Sequence, residues 1–230
     1  MEAIILAGGY GKRLKPKIVN IPKPMAPVNG KPFLDYIINF LSINNVNTAV
    51  LSLFYKHEII QKHYSNNFNG VDILYSIDQG ALGTGGAIRN GLFFIKNKYV
   101  FIINGDTYFN VDLRKLIKEH IKNNNEVTFS LKPMVDFNRY GFVKINDNGD
   151  VLSFREKEFC KNGLIDGGIY VINKDLFSKF NLNKSFSFNK FLIKNMNDIK
   201  IGSVIFDKKF IDIGTPSDFD KANELLAGLL

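Results

Sequence analysis

The first fourteen residues, MEAIILAGGYGKRL, constrain the fold more than any other stretch of the chain. Ala3-Ile4-Ile5-Leu6-Ala7 is an unbroken apolar run, the pattern of a strand buried on both faces of a parallel sheet. It passes directly into Gly8-Gly9-Tyr10-Gly11 and then Lys12-Arg13. Glycines let the backbone turn sharply and bring N–H groups against an anion, and a guanidinium can grip phosphate oxygens bidentately. The segment is therefore a candidate cradle for a nucleoside triphosphate. The plainer alternative is a strand-to-loop turn carrying two solvated basic residues.

Composition narrows the class. At 230 residues, with 45% hydrophobic and 23% charged residues, the chain suits one large α/β domain. No apolar run approaches the roughly 20 residues needed to span a bilayer, and the N-terminus lacks a signal-peptide pattern, so a cytoplasmic protein is expected. A single cysteine, Cys160, excludes an internal disulfide, and three scattered histidines argue against structural zinc. The net charge of +8 would allow a nucleic-acid partner, but the lysines are dispersed and form no long block. A smaller polyanion is the better match, with neither a nucleic-acid nor a membrane partner.

The proline-punctuated segment Pro16–Pro32 reads as an ordered, extended loop without helix or ladder pairing, holding Lys23 between Pro22 and Pro24. Helices are expected at Phe33–Ile43 and Lys56–Tyr64, and buried strands at Thr48–Phe54 and Val71–Ser76. A second glycine-rich stretch, Gln79–Ala87, opens a helix running to about Phe94. Gly83, Gly85 and Gly86 there suggest a polar ligand edge or an anion at a helix N-terminus more than simple packing. The strand Tyr99–Ile103 ends in Asn104-Gly105-Asp106. An aspartate just past the carboxyl end of a buried strand lies where open α/β sheets bind ligands, and its hard oxygens suit Mg²⁺.

The second half adds a helix at Leu113–Asn123 and a strand at Glu126–Pro133. A hairpin follows, Tyr140–Ile145 with Val151–Phe154, then a strand Leu164–Ile172 with paired glycines inside it. Helical segments are expected at Lys174–Lys179 and Asn189–Met196, and strands at Lys200–Phe206 and Phe210–Ile213. Thr215 and Pro216 start a last helix as N-cap and first residue. This alternation predicts an α/β fold: a doubly wound, mostly parallel mixed sheet flanked by helices, Rossmann-like in layout. The chain reads as one domain, residues 1–230, in two halves, 1–110 and 111–230.

Taken together, these motifs resemble those of the sugar-1-phosphate nucleotidyltransferases over nearly the whole chain. LAGGYGKRL is similar to that family's pyrophosphorylase loop, IPKPMAPVNGKP to its lysine loop, LGTGGA to its base-proximal loop and NGD to its metal loop. FREK resembles the segment whose lysine meets the sugar phosphate, GGIYV the sugar-contacting strand, and DIGTP the second metal aspartate with its turn. The wording is most similar to the guanylyltransferase branch, which implies GTP as donor and a heptose or mannose 1-phosphate as acceptor. The chain departs at Lys12, where the family usually has Thr or Ser, and at Asp166, where many relatives carry Asn.

The resemblance implies in-line attack by the sugar 1-phosphate on the α-phosphorus of the triphosphate, releasing pyrophosphate. A phosphate nucleophile with a second pKa of about 6 is already largely ionised near neutrality, so no general base is required. On this reading Arg13 holds the departing phosphates, Lys23 the α-phosphate, Lys157 the sugar phosphate, and Asp106 with Asp212 holds Mg²⁺. Leu6, Gly8, Gly9, Gly11, Lys12, Gly83, Thr84 and Gly105 fall on the nucleotide side; Gly141, Glu156 and Gly168 line the sugar pocket. A monomer or homodimer is expected. Rossmann dehydrogenases need a third glycine where this chain has Leu14, and P-loop enzymes need Ser or Thr where it has Arg13. A molybdopterin guanylyltransferase would share the opening loop but not FREK with GGIY. A non-catalytic nucleotide-sugar-binding regulator remains the alternative from another class.

Overall fold

The computed structural model describes residues 1–11, 14, 20–155 and 158–230. The apolar N-terminal run forms β1 (Glu2–Leu6), followed by a small hairpin of β2 (Pro27–Val28) and β3 (Lys31–Pro32). Then come α1 (Phe33–Ile43), β4 (Thr48–Leu53), α2 (His57–Tyr64), β5 (Asn67–Phe68), β6 (Val71–Ile77), α3 (Gly83–Gly91) and β7 (Tyr99–Asn104). The second half contributes β8 (Thr107–Phe109), α4 (Leu113–Lys122), β9 (Val127–Phe137), β10 (Val143–Ile145) and β11 (Val151–Phe154). It ends with β12 (Cys160–Asn173), α5 (Phe188–Lys194), β13 (Ile201–Ile205), β14 (Phe210–Asp212) and α6 (Pro216–Leu225).

The main sheet has eight strands in the order β13-β9-β12-β7-β1-β4-β6-β5. β1 runs parallel to β4 and β7, and β4 parallel to β6. β12 is inserted antiparallel between β7 and β9, and β13 closes the edge parallel to β9. β1 is apolar throughout because both its faces are covered. Ala3 and Ile5 belong to one core with Leu34, Ile37 and Phe219, and Ile4 belongs to another with Ile88, Phe129 and Phe191. Fully burying one such isoleucine contributes about 1.5–3 kcal/mol, so the two layers hold the strand rigidly beneath its loop. The doubly wound, mostly parallel mixed sheet expected from the sequence is the observed fold, and no described helix is long and apolar enough to cross a membrane.

Three local expectations are corrected. The proline segment is not an extended loop without elements: Lys23–Met25 form a 3₁₀ turn, and β2 pairs with β3. The prolines permit this because Pro24 sits inside the first turn, where its missing N–H costs nothing, and the β2–β3 ladder is only two residues long. Lys174–Lys179 is not a helix but a run of tight turns, in which Leu176, Ser178 and Phe180 N–H groups bond three residues back. Finally, β9 and β12 extend beyond the sheet as a two-stranded ribbon, Cys160 pairing opposite Phe137, whereas β10 starts only at Val143.

Between α4 and the sheet lies a polar cluster with a measurable signature. His120 is fully buried and bonds Thr128 Oγ1 at 2.9 Å and Asn173 Oδ1 at 3.0 Å. Burial holds the imidazole below its ordinary pKa, and Lys98 adds to this, while the Asn173 bond opposes it. The unfolded chain then binds the proton more readily than the folded one. Stability is therefore fully present above about pH 6.5 and falls as the pH drops from there through the folded-state pKa. Urea unfolding at pH 7 and pH 5 should show this loss in the wild type and a shallower one in His120→Gln.

Candidate active site

The site is built where β1 and β7 end side by side. Gly105 N–H donates to Leu6 O at 3.0 Å, and a Cβ on Gly105 would stand 2.7 Å from that oxygen, so only glycine lets the two loops touch. This contact sets Asp106 beside the Gly8-Gly9 turn. Lys23, carried on its 3₁₀ turn, reaches the same point, with its Nζ 2.5 Å from Asp106 Oδ2. Gly11 adopts φ +61°, and a Cβ there would stand 2.9 Å from Lys23 Cβ, so the glycine makes room for the lysine stem.

Asp212 arrives from the far end of the chain. β14 pairs antiparallel with β8, setting Asp212 opposite Thr107, and Ile213 N–H donates to Asp106 O at 3.0 Å. The Asp212 carboxylate accepts the Gly214 N–H and is hydrogen-bonded to Tyr140. Burial first, and then the Asp212 charge, push the Tyr140 phenol well above its ordinary pKa, so it serves as a proton donor at any working pH. Its neighbour Arg139 lies 2.5 Å from Asp218 Oδ2 and so ties the segment before Gly141 to α6.

Two clefts meet here. The first, about 410 Å³, is lined by Leu6, Gly8, Gly9, Lys23, Asp78, Gly83, Thr84, Gly105 and Asp106 among others. The second, about 460 Å³, is lined by Asp106, Arg139, Tyr140, Gly141, Asp166, Gly168, Lys190 and Asp212 among others. Asn104 and Asp106 line both. Thus the structure gathers Lys23, Asp106, Asp212, Leu6, Gly8, Gly9, Gly83, Thr84, Gly105, Gly141 and Gly168 at one junction. Gly11 stands behind Lys23 without lining either cleft, and Lys12, Arg13, Glu156 and Lys157 lie outside the described residues. Asp106 and Asp212 fit a hard divalent cation. Such an ion takes one or two carboxylates plus substrate phosphates; Asp106, in the turn before β8, and Asp212, at the end of β14, face one cleft.

The glycines of the second loop pack closely, and Gly83 and Thr84 also line the first cleft. Gly83 is at φ +68° with Phe186 O 2.6 Å from its would-be Cβ, Gly85 lies under the Phe186 ring, and Gly86 faces Lys184 O. Gly85 N–H donates to Phe186 O and Phe186 N–H to Leu82 O. Close packing of this segment therefore accounts for all three glycines. Thr84 has a similar structural duty, because its hydroxyl accepts the Phe188 N–H at 2.9 Å.

Two groups escaped the sequence reading. Asp78 is buried just past the end of β6 and lines the first cleft, where Asn90 Nδ2 donates to its Oδ1 at 2.8 Å. Burial raises its carboxyl above the usual range, against the Asn90 bond. The signal was present: like Asp106, it is an acid at the carboxyl end of a parallel strand. The other is Tyr140, whose neighbours in sequence gave no hint of Asp212. Asp166 is described more sharply. It accepts from Gly168 N–H at 2.8 Å and from Tyr170 O–H at 2.6 Å, bracing the bulge in β12, and burial raises its pKa.

Comparisons with known proteins agree with this geometry. A family model described as nucleotidyl transferase matches residues 2–228. The D-glycero-α-D-manno-heptose 1-phosphate guanylyltransferase of Campylobacter jejuni is 47% identical, over 95% of this chain and 97% of its own length. The enzyme of the same name from Aneurinibacillus thermoaerophilus is 46% identical, over 98% of each. Among solved structures, HddC from Yersinia pseudotuberculosis complexed with GMP-PN superposes with a TM-score of 0.86 at 33% identity. It covers 97% of this chain and 98% of its own.

Proposed function

The chain belongs to the nucleotidyl transferase family, and from that premise we propose that it transfers GMP from GTP to D-glycero-α-D-manno-heptose 1-phosphate, releasing pyrophosphate. The observation that carries the reading is Asp106, which lines both clefts and is paired with a buried lysine. A reaction that joins two phosphorylated substrates needs charge compensation at their meeting point, and here it is built into the strand ends.

In this reading the triphosphate lies in the first cleft and the sugar phosphate in the second. The first is lined wholly by residues up to Asp106 and the second by residues from Asn104 onward, which supports one catalytic unit with a nucleotide half and a sugar half. Lys23 stabilises charge building on the α-phosphate. Tyr140 and Gly214 fix the orientation of Asp212. Asp106 and Asp212 would hold a divalent cation, Mg²⁺ in our proposal, which when bound supplies Lewis-acid charge to the phosphates. Asp78 selects the base: guanine carries an amino donor on C2 that a buried carboxylate accepts, where adenine has only a C–H. Arg13 and Lys157 keep the phosphate-binding roles that the resemblance gives them.

The test is a pyrophosphate-release assay of the four nucleoside triphosphates against a panel of sugar 1-phosphates. GTP with the heptose 1-phosphate should be turned over fastest. Preference for UTP or dTTP would overturn the proposed base, and a mannose 1-phosphate preference the proposed sugar.

A further inference from the structure

The chain supplies its own cation to Asp106. Lys23 Nζ sits 2.5 Å from Oδ2, a charge-assisted contact, with the lysine side chain 10% exposed and the aspartate side chain 39% exposed. Asp106 Oδ1 takes a longer bond, 3.3 Å, from the Thr107 hydroxyl. The lysine is confined: its stem lies against Gly11, and both partners line the first cleft. A divalent cation on Oδ2 would sit about 2.0–2.1 Å from the oxygen, against the ammonium already there. Two positive charges on one carboxylate oxygen repel, and the lysine, with little of its side chain open to solvent, is poorly placed to be screened.

We infer that Lys23 competes directly with a divalent cation for Asp106 Oδ2, so that the chain's own ammonium holds down its cation affinity. This rests on the reading that Asp106 is a cation ligand and Lys23 a phosphate ligand. It adds that the two duties exclude each other until a phosphate draws the ammonium away. The flexible four-carbon stem lets Lys23 swing, and the cleft that a triphosphate would fill is the space open to it. Cation and triphosphate affinities are then linked through one ion pair, each raising the other by the same factor.

The test is Mn²⁺ titration of the nucleotide-free full chain, followed by the electron paramagnetic resonance of free Mn²⁺. Lys23→Met should bind Mn²⁺ at least about 5-fold more tightly than wild type, within the usual span of such couplings. Lys23→Gln should do the same, and circular dichroism checks that both are folded. Lys62→Met removes an equal charge from an exposed position of α2 that lines neither cleft and should stay within about twofold of wild type. Adding Asp106→Asn to Lys23→Met should abolish the gain. The inference is overturned if both Lys23 variants match wild type, if Lys62→Met gains as much, or if the gain survives Asp106→Asn. Pyrophosphate release by the wild type is scored separately. Its failure would sink the proposed reaction while leaving the Mn²⁺ result standing.

Discussion

Asp106→Asn lowers kcat for pyrophosphate release by about 10²–10³-fold, the usual cost of removing one preorganised electrostatic contact at a reacting phosphate or oxyanion. The side chain keeps its size, so the Gly105–Leu6 contact and the strand ends stay in place. What is lost is the negative charge opposite Lys23 and one of the two carboxylates that face the second cleft and are proposed to hold the cation. Asp212→Asn should fall in the same direction. Because the two carboxylates act as one unit, the double variant should lose little more than the worse single one. Steady-state kinetics with thermal unfolding alongside settle the matter. An Asp106→Asn protein that unfolds cooperatively and keeps kcat within tenfold of wild type would remove this residue from the reaction.

Asp78→Asn is expected to erode base selection. A hydrogen bond to a charged group contributes about 1.5–3 kcal/mol, so kcat/KM for GTP should drop roughly 10- to 150-fold. Asparagine can still meet Asn90 through its amide oxygen, which keeps the loop after β6 in position. ATP, which has no amino group on C2, should lose much less, and the GTP-to-ATP ratio of kcat/KM should shrink by at least tenfold. An unchanged ratio would show that the base is read by other groups.

How much of this was legible in the sequence depends on how far apart the cooperating residues lie. β1 and β7 announce themselves because a strand covered on both faces must be apolar throughout, and Asp106 follows from its place at a strand end. The glycines before α3 were also conspicuous, but their packing role was hidden, because Phe186, against which Gly83 and Gly85 lie, comes a hundred positions later with no local mark. Asp78 was missed although it obeys the same rule as Asp106. β6 alternates buried and exposed residues and so gives a weaker strand signal than β7. The nearness of Asp106 and Asp212 is a tertiary fact. It depends on β8 pairing with β14, and neither short strand carries enough pattern to predict its partner. In the proline segment the turn at Lys23 was hidden because prolines argue against long elements and not against a single turn.

The β8–β14 ladder also has a consequence for how activity appears as the chain folds. Every residue lining the first cleft lies at or before Asp106, whereas the second carboxylate waits for one of the last strands to dock. That docking closes a loop spanning almost half the chain, an entropic cost offset by three paired residues, the burial of Ile211 and Ile213 and the packing of Phe210 on Phe109. The first cleft also waits on later chain, because Phe186 and Phe188 hold the loop that carries Gly83 and Thr84. In the proposed reaction, catalytic competence would therefore arrive only with the completion of folding.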